Sequence, residues 1–344
     1  MWSNLNRAEQ IAAAQAVAAK RNIDERAVEK DWWVTAVLKA LFNTRHSEYL
    51  LFKGGTSLSK GWSLINRFSE DVDISINQNF FADVLGHKFA RAENNTQLRK
   101  LRKASRDYIH GVLSEALKTS LSGLGITDFA VRNQTKELTE NGWGEISHDS
   151  DPTVVFVDYK SLFPASVSDI EPHVKIEISC LSMSEPFEIK RINSLINAMF
   201  PDVDEELSSD IRTVIPSRTF IEKILLLNEE FQKESPRSTR RMSRHLYDIE
   251  KIMDTEYGKN ALIDSKLYKA IVEHRRKFYH LGYVDYNRDY PKLLSFVPQG
   301  ETLEAFKKDY MENMVDGYIY GQAVSFDKLL ERLGELQDRF HRLD

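Results

Sequence analysis

The segment FKGGTSLSKGWSLINRFSEDVDISIN, residues 52–77, constrains the fold of this chain more than any other. Two glycines follow a short apolar run, a segment of helical character comes next, and an alternating acidic run ends the segment. Glycine permits the backbone conformations of a tight turn, and period-two alternation is typical of a strand. The segment therefore predicts the order strand, glycine turn, helix, strand, with the helix capped by Thr56 or Ser57.

The acidic strand is predicted to carry two carboxylates on one face. Side chains two residues apart on a strand project to the same side, so Ser69, Asp71 and Asp73 share one face and apolar residues line the other. Hard cations such as Mg²⁺ take oxygen ligands of this kind and complete their shell with water and substrate phosphates. In the later run HVKIEISC, Glu177 alternates in the same way and is a candidate third metal ligand.

The glycine turn is a candidate phosphate site. Gly54 and Gly55 allow close approach of the backbone, and Thr56 and Ser57 offer N–H groups and hydroxyls at a helix N-terminus, where a triphosphate is favoured. Each of these features also occurs in ordinary turns and on exposed polar strands. Their order and spacing together favour a nucleotide site with a divalent metal.

Composition bounds the class of protein. The chain has 344 residues, a formal net charge of −5 and one cysteine, Cys180. No apolar stretch reaches the roughly 18 residues needed to span a bilayer, and the first residues lack the pattern of a secretion signal. These observations predict a cytoplasmic protein without a membrane partner.

Basic residues are concentrated in two places despite the net negative charge. Such clusters can contact nucleic-acid phosphates, or they can be solvated helix faces with acidic neighbours. The first cluster comprises Lys88, Arg91, Arg99, Lys100, Arg102, Lys103 and Arg106, and the second comprises Lys233, Arg237, Arg240, Arg241, Arg244 and His245.

The periodicity of the chain predicts an α+β fold in two domains. Helices and β-like runs alternate up to about residue 205, which suits a mixed sheet flanked by helices, and helical periodicity dominates afterwards. We therefore predict an α/β domain at residues 1–205, with helices at its start, and a mainly helical domain at residues 206–344.

The motif GGTSLSKGWSLINRFSEDVDI resembles that of the nucleotidyltransferases of the DNA polymerase β superfamily, in the form found in the AbiEii/AbiGii toxin family. The segments VEKDWWVTAVLKAL, FIEKILLL, RHLYDIEKI and YMENMVDGYIYGQAVSFDKLLERL are also similar to segments of that family, so the likeness spans roughly residues 23–335. The resemblance implies a polymerase β-like core and a helical C-terminal domain.

The resemblance also implies roles for individual residues. Asp71 and Asp73 correspond to the metal-binding pair and Ser69 to a supporting residue, while Lys223 corresponds to a phosphate-contacting lysine and Asp248 to an essential aspartate. The residues themselves leave a second interpretation open for Asp248, which is an ion pair with a lysine or arginine of the helical domain. Arg67 likewise either contacts a phosphate or pairs with Glu70 or another acid.

The function implied is Mg²⁺- or Mn²⁺-dependent transfer of a nucleoside monophosphate from an NTP to an RNA acceptor, in particular the tRNA acceptor end. Members of the family are toxins of toxin–antitoxin or phage-defence (abortive infection) systems, which implies a cognate antitoxin as partner. Two alternatives stay open on the sequence. One is a small-molecule nucleotidyltransferase of the antibiotic-modifying type, and the other is a non-catalytic nucleic-acid-binding module on the same fold.

Overall fold

The computed structural model describes residues 1–69, 71–90, 92, 94–140, 142–164, 170–233, 239–320 and 322–343. Three residues named in the sequence analysis lie outside these ranges, namely Glu70, Arg91 and Arg237. The chain divides into two compact units, one formed by residues 1–61 and 70–213 and the other by residues 62–69 and 214–344. The sequence predicted a boundary at residue 205, whereas the structure divides the chain after residue 213. The first unit therefore contains one more strand than predicted.

The first unit is built on a seven-stranded mixed sheet with the strand order β3-β6-β7-β2-β1-β9-β8. The strands are β1 (Leu50–Lys53), β2 (Asp71–Ile76), β3 (Phe129–Asn133), β6 (Thr153–Tyr159), β7 (His173–Ser179), β8 (Phe187–Ile192) and β9 (Ser209–Val214). A separate hairpin pairs β4 (Lys136–Thr139) with β5 (Gly142–Glu145). β2 is antiparallel to β1 and parallel to β7, so the predicted mixed sheet is confirmed.

Helices pack around this sheet in the first unit. They are α1 (Arg7–Arg21), α2 (Glu25–Phe42), α3 (Gly54–Lys60), α4 (Gln78–Asp83), α5 (Asn95–Tyr108), α6 (Ser114–Gly123), α7 (Leu195–Met199) and α8 (Pro201–Asp204). A π-helical turn, Ile109–Leu113, joins α5 to α6. α2 is capped by Asp24, whose side chain accepts a hydrogen bond from the Arg26 N–H, and it packs against β2 and β7.

The apolar side of the acidic strand forms part of the buried core. Val72 and Ile74 of β2 and Val174 and Ile176 of β7 have no measurable exposure. Burying side chains of this size contributes about 1.5–3 kcal/mol each before the entropy of ordering them is subtracted. This side therefore fixes the register of β2, and a slip of one residue would turn Asp71 and Asp73 into the core.

The second unit is helical, as predicted. Its helices are α9 (Pro216–Glu230), α10 (Ser243–Met253), α11 (Glu256–Ile263), α12 (Ser265–Phe278), α13 (Gly300–Asp309) and α14 (Phe326–His341), with a π-helical segment, Tyr310–Tyr318, after α13. Residues 66–68 pair with this last region, since the Phe68 N–H donates to the Tyr318 carbonyl and the Tyr320 N–H donates to the Asn66 carbonyl. In the described part of the chain, no helix is both long and apolar enough to cross a bilayer.

Candidate active site

Strand β2 presents its two aspartates on the polar side of the sheet. Asp71 and Asp73 are half-buried. Val72, which lies between them, and Ile74, which follows Asp73, are fully buried. Asp73 lies opposite Lys53 on β1 and opposite Glu177 on β7, and Asp71 lies opposite Lys175. The alternation predicted for this strand is thus present, and it places two carboxylates in a row next to cationic neighbours.

Gly54 allows the glycine turn to lie against the Asp73 carboxylate. Its φ is +76°, in the left-handed region, and a Cβ built at this position would lie 1.9 Å from Asp73 Oδ2. A side chain of any size would therefore occupy the space of that carboxylate. The turn from β1 into α3 and the acidic strand fit together because residue 54 is glycine.

For the nucleotidyl transfer that the motif implies, we expect Gly54→Ala to reduce the rate by about 10²-fold, because it displaces the predicted metal-binding carboxylate of Asp73 by about 1 Å. Gly125→Ala is the matched control, since Gly125 has the same φ of +76° but a Cβ at that position would meet no other atom within 4 Å. Both variants carry the backbone strain, and the Gly54 variant also carries the clash. If the two variants were equally active at equal folded fractions, the position of the Asp73 carboxylate would not depend on Gly54.

The hydroxyls of the turn bond to the protein itself. Helix α3 begins at Gly54, with Lys53 as its N-cap and no side-chain cap, so the predicted cap at Thr56 or Ser57 is wrong. The Thr56 hydroxyl donates to the Asp71 carbonyl and the Ser57 hydroxyl donates to the Gly54 carbonyl, and both residues are buried. The two hydroxyls therefore tie α3 to β2 and to its own first turn. A phosphate role for residues 54–57 stays a prediction that rests on backbone groups.

Ser69 precedes the acidic strand. β2 begins at Asp71, and Ser69 belongs to the second compact unit, so it does not extend the strand as predicted. Ser75, the other serine of the alternation, is buried, and its hydroxyl has no hydrogen-bond partner among the described residues. The polar side of β2 is thus accessible at the two aspartates and closed at Ser75.

Glu177 lies beside Asp73 but is engaged with another residue. Its carboxylate forms an ion pair with Lys175 on the same strand. Burial by itself lowers the pKa of Lys175, but Glu177, Asp71 and Asp73 together outweigh burial and raise that pKa above its ordinary value. Lys175 therefore stays charged and neutralises part of this acidic surface.

The two aspartates of β2 suit a metal ion that takes its remaining ligands from water and substrate. Among the residues that the structure describes, no group of three or more His, Cys, Asp and Glu side chains is arranged to hold a metal ion. Glu177 pairs with Lys175, and its role as a third metal ligand beside Asp71 and Asp73 stays a prediction. Two aspartates on one strand face suit Mg²⁺, which commonly takes one or two protein carboxylates and leaves its remaining positions to water and phosphates.

The second unit contains a buried cluster of charged side chains on α9, α10 and residue 67. Arg67 donates two hydrogen bonds to Asp248, from Nε to Oδ1 and from Nη2 to Oδ2, each of 2.7 Å. Lys223 Nζ lies 3.0 Å from Asp248 Oδ2 and 3.2 Å from His245 Nδ1. Asp248 is fully buried, and Arg67, Lys223 and His245 are at most 8% exposed.

One carboxylate, that of Asp248, pairs with both cations of the cluster, Arg67 and Lys223. Burial alone would raise the pKa of Asp248, but Arg67 and Lys223 outweigh it and hold that pKa far below its usual range. Burial lowers the pKa of Lys223, and burial together with Lys223 lowers the pKa of His245 well below its ordinary value. His245 is therefore neutral at pH 7 and accepts a hydrogen bond from the Lys223 ammonium.

This cluster shows that Arg67 pairs with an acid, Asp248. The place of Arg67 among the nucleotide-binding residues stays a prediction. The ion-pair interpretation of Asp248 is confirmed by its contacts with Arg67 and Lys223, while the family role as an essential aspartate stays a prediction. Lys223 also stays a predicted phosphate contact, and its side chain is buried.

The first basic cluster lies mainly on α5, but only part of it faces solvent. Arg106 is buried and donates to the Gln134 and Ser147 carbonyls, while Arg99 pairs with Asp149 at 2.8 Å. Hydrogen bonds from Ser147 and Arg99 lower the pKa of Asp149 to about 2. The exposed cations of this helix are Arg99, Lys100 and Lys103.

The second basic cluster contributes to structure. His245 belongs to the buried charged cluster, Lys233 pairs with Glu230 at 2.5 Å, and the guanidinium of Arg241 lies 4.8 Å from the centre of the Tyr318 ring. Arg240 is exposed and Arg244 is half-buried. These contacts favour a structural role for Lys233, Arg241 and His245, of which only His245 lies on a helix, α10.

Three residues near the aspartates were not predicted as site candidates. Lys53 and Lys175 lie opposite Asp73 and Asp71, and strand pairing, which the sequence does not specify, brings them there. Asp151 precedes β6 and accepts hydrogen bonds from the Ser179 hydroxyl and the Cys180 N–H. Burial raises its pKa despite these donors and nearby Lys53. Asp151 lies in a turn-rich segment, where no sequence pattern indicated a functional residue.

Comparisons with known proteins agree with this geometry. The model of the family described as "Nucleotidyl transferase AbiEii toxin, Type IV TA system" matches residues 36–332. The fold is similar to that of MenT4, a nucleotidyltransferase toxin from Mycobacterium tuberculosis H37Rv, with a TM-score of 0.51, 16% identity, and coverage of 99% of this chain and 91% of that one. No curated protein shows significant sequence similarity to the chain.

Proposed function

The chain belongs to the AbiEii family of nucleotidyltransferase toxins of type IV toxin–antitoxin systems, and on this premise we propose that it transfers a nucleoside monophosphate from an NTP to the acceptor end of tRNA. The hydroxyl of the RNA attacks the α-phosphorus, the bond from that phosphorus to the bridging oxygen breaks, and pyrophosphate leaves with the bonding electrons. Such catalysis depends mainly on positioning and on neutralisation of charge.

The observation that carries the proposal is the pair of aspartates on β2. Asp71 and Asp73 share the polar side of the sheet, their strand is held in register by a buried apolar side, and Gly54 gives Asp73 its space. Asp71 and Asp73 would hold Mg²⁺ or Mn²⁺, which supplies charge neutralisation for the phosphates and activation of the attacking oxygen. The backbone of residues 54–57 is the proposed contact for the triphosphate.

Lys223 and Asp248 have proposed roles in the second unit. The family resemblance assigns Lys223 to nucleotide phosphates and Asp248 to an essential position. The contacts of Asp248 give its role a physical form, because its carboxylate forms ion pairs with both Arg67 and Lys223 and so fixes the two side chains in a buried cluster. We therefore assign Asp248 as a positioning residue for Lys223.

An RNA acceptor is supported by the exposed part of α5. Lys100 and Lys103 lie on its solvent side, and the arginines of the same helix anchor it to the segment around Asp149. Lysines on a rigid helix suit contacts with the phosphates of a double-stranded acceptor stem, which is recognised by backbone and shape.

Neutralising these lysines is expected to weaken tRNA binding and its salt dependence. Lys100→Gln with Lys103→Gln should reduce the slope of log K against log salt by about 1.5–2, because two phosphate contacts are lost. Lys307→Gln with Lys308→Gln on α13 is the control, since these two lysines are also exposed on a helix and the double variant removes the same charge. Fluorescence anisotropy with labelled tRNA at several salt concentrations measures both slopes. Identical slopes would assign this side of α5 to solvent.

The direct test of the acceptor is incubation of the pure chain with each labelled NTP, a divalent metal and total tRNA. We expect label in RNA, with one nucleotide preferred. Label in a low-molecular-weight product when an aminoglycoside replaces tRNA would favour the small-molecule alternative. Absence of labelled RNA with all four nucleotides would contradict the tRNA proposal.

The family also supports a partner and a place for the reaction. An antitoxin encoded with the chain is the proposed partner, and we place the reaction in the cytoplasm, where NTPs and tRNA are abundant. Induction of the chain is expected to stop growth, and co-expression of the cognate antitoxin to restore it. Growth arrest that persists in a transfer-inactive variant would instead favour a non-catalytic binding module.

A further inference from the structure

The seven-stranded sheet of the first unit ends in an edge strand, β8. β8 is the last strand in the order, and among the described residues it has a strand neighbour, β9, on one side. Its exposed side chains include Phe187 at 36% and Ile189 at 65%. At the other end of the sheet, β3 packs against α6. An edge strand carries main-chain N–H and C=O groups that can pair with a further strand, so β8 is a surface to which a strand can be added.

The side chains of β8 alternate between an exposed row and a partly buried row. Residues two apart on a strand project to the same side, so Phe187, Ile189 and Arg191 form one row. All three are exposed, whereas Ile192, at the end of the other row, is buried. An edge strand with exposed apolar side chains favours pairing with another chain.

The charged residues of β8 select one arrangement for two copies of this strand. In antiparallel pairing centred on Ile189, Glu188 of each copy lies opposite Lys190 of the other. Phe187 then lies opposite Arg191. Opposite charges in such cross-strand pairs attract, and a guanidinium beside an aromatic ring is also favourable. Parallel pairing in register would instead bring each charge beside the same residue of the other copy, where like charges repel.

The charges around this edge are close to balance. Arg191 pairs with Asp210 of β9 at 3.5 Å, and both side chains are more than half exposed. The guanidinium of Arg212 lies 5.9 Å from the centre of the Phe187 ring. Together with the glutamate and the lysine of β8, these residues give no large excess of one sign, so a second copy is not repelled. A lysine on an edge strand commonly discourages pairing, but antiparallel pairing of two copies places a glutamate opposite it.

We propose that two copies of this chain associate through β8, paired antiparallel about a two-fold axis at Ile189, so that their two sheets become continuous. Such an interface is isologous and closed, because each copy presents the same strand. Each strand contributes six residues, so the interface is smaller than the standard size of about 1,600 Å², and we expect a Kd of about 10⁻⁵–10⁻⁴ M. The association is independent of the proposed transfer reaction.

Sedimentation velocity of the full chain tests the association. Loading concentrations from about 10⁻⁶ to about 10⁻³ M span the expected Kd. We expect a monomer at the lowest concentration and mainly dimer at the highest. A monomer at every concentration would overturn the proposal.

Charge reversal tests the strand and its direction. Glu188→Lys and Lys190→Glu each place like charges opposite one another, and each is expected to weaken self-association at least about tenfold. Glu137→Lys replaces an exposed glutamate on another strand, β4, and should associate like the unmodified chain. Ile189→Asp puts two carboxylates at the two-fold axis and is expected to abolish the dimer, even if a charge-reversal variant does not fold.

An equimolar mixture of Glu188→Lys and Lys190→Glu tests the pairing most sharply. The introduced lysine then faces the introduced glutamate, and the native Lys190 of one copy faces the native Glu188 of the other. We expect the mixture to recover the association of the unmodified chain, while each variant by itself stays mainly monomeric. Unchanged affinity in the single variants, or a mixture that associates no more strongly than its components, would contradict antiparallel pairing of β8.

Discussion

Asp71→Asn and Asp73→Asn are each expected to lower nucleotidyl transfer by about 10³-fold and to abolish toxicity. Each change keeps the shape of the side chain and removes one of the two negative charges proposed to hold the metal, and such charge stabilisation is worth several kcal/mol in the transition state. Because both aspartates are half-buried on the polar side of the sheet, the free energy of unfolding should change by less than about 1 kcal/mol.

The control for this pair is Asp158→Asn. Asp158 lies on β6 of the same sheet and pairs with the exposed Arg132 at 2.6 Å, so the variant removes an aspartate charge from the sheet outside the proposed site. Transfer rates should match those of the unmodified chain, and melting curves should be similar for all three variants. A fully active Asp71→Asn or Asp73→Asn would remove the basis for metal binding on β2.

Asp248→Asn is expected to destabilise the second unit by about 3–5 kcal/mol. The change leaves Arg67 and Lys223 buried without their counter-charge, which is the costly way to break a buried ion pair. Asp254→Asn is the comparison, because Asp254 pairs with Arg332 and Arg339 at an exposed site, where such pairs are worth about 0–1 kcal/mol. Urea unfolding of both variants measures the difference.

The pH dependence of this effect has a defined sign. The pKa of Asp248 is lower in the folded chain than its unfolded value of about 3.9, so its stabilising contribution is complete above that value. It is lost as the pH falls toward the folded pKa. The stability difference between the unmodified chain and Asp248→Asn should therefore be constant from pH 5 to 7 and decrease below about pH 4. A difference that instead grows with acidity would show that Asp248 is not held ionised by Arg67 and Lys223.

The Lys223→Met variant tests the proposed phosphate contact of Lys223 separately from the stability of the buried cluster. Removing Lys223 leaves Asp248 paired with Arg67, so the loss of stability should be smaller than in Asp248→Asn. The loss of transfer should be equally large if Lys223 contacts nucleotide phosphates. Normal transfer by folded Lys223→Met would assign the whole cluster to structure.

The sequence was informative where local rules decide the structure. Alternation placed Asp71 and Asp73 on one side of β2, because which side of a strand a residue faces depends on residues close in the chain. The resemblance to the AbiEii/AbiGii family, carried by the motif around these aspartates, was confirmed by the family match over residues 36–332.

The sequence was less informative where distant segments meet. The pairing of Arg67 with Asp248 joins residues 181 positions apart, and local pattern offers no measure of that distance. Whether Glu177 binds a metal or pairs with Lys175 depends on side-chain geometry, which a strand pattern does not give. The caps predicted at Thr56 and Ser57 were wrong because α3 begins earlier, at Gly54. The Thr56 hydroxyl donates to the Asp71 carbonyl, and the Ser57 hydroxyl donates within the helix to the Gly54 carbonyl.

The position of the transferred label tests the central claim most directly. The unmodified chain and Asp73→Asn are each incubated with tRNA and with the preferred NTP, labelled at the α-phosphorus in one reaction and at the γ-phosphorus in another. We predict that α-label enters RNA with the unmodified chain and not with Asp73→Asn, and that γ-label appears only in pyrophosphate. Label from the γ-phosphorus in RNA, or α-label transferred equally by both chains, would contradict nucleotidyl transfer at the aspartates of β2.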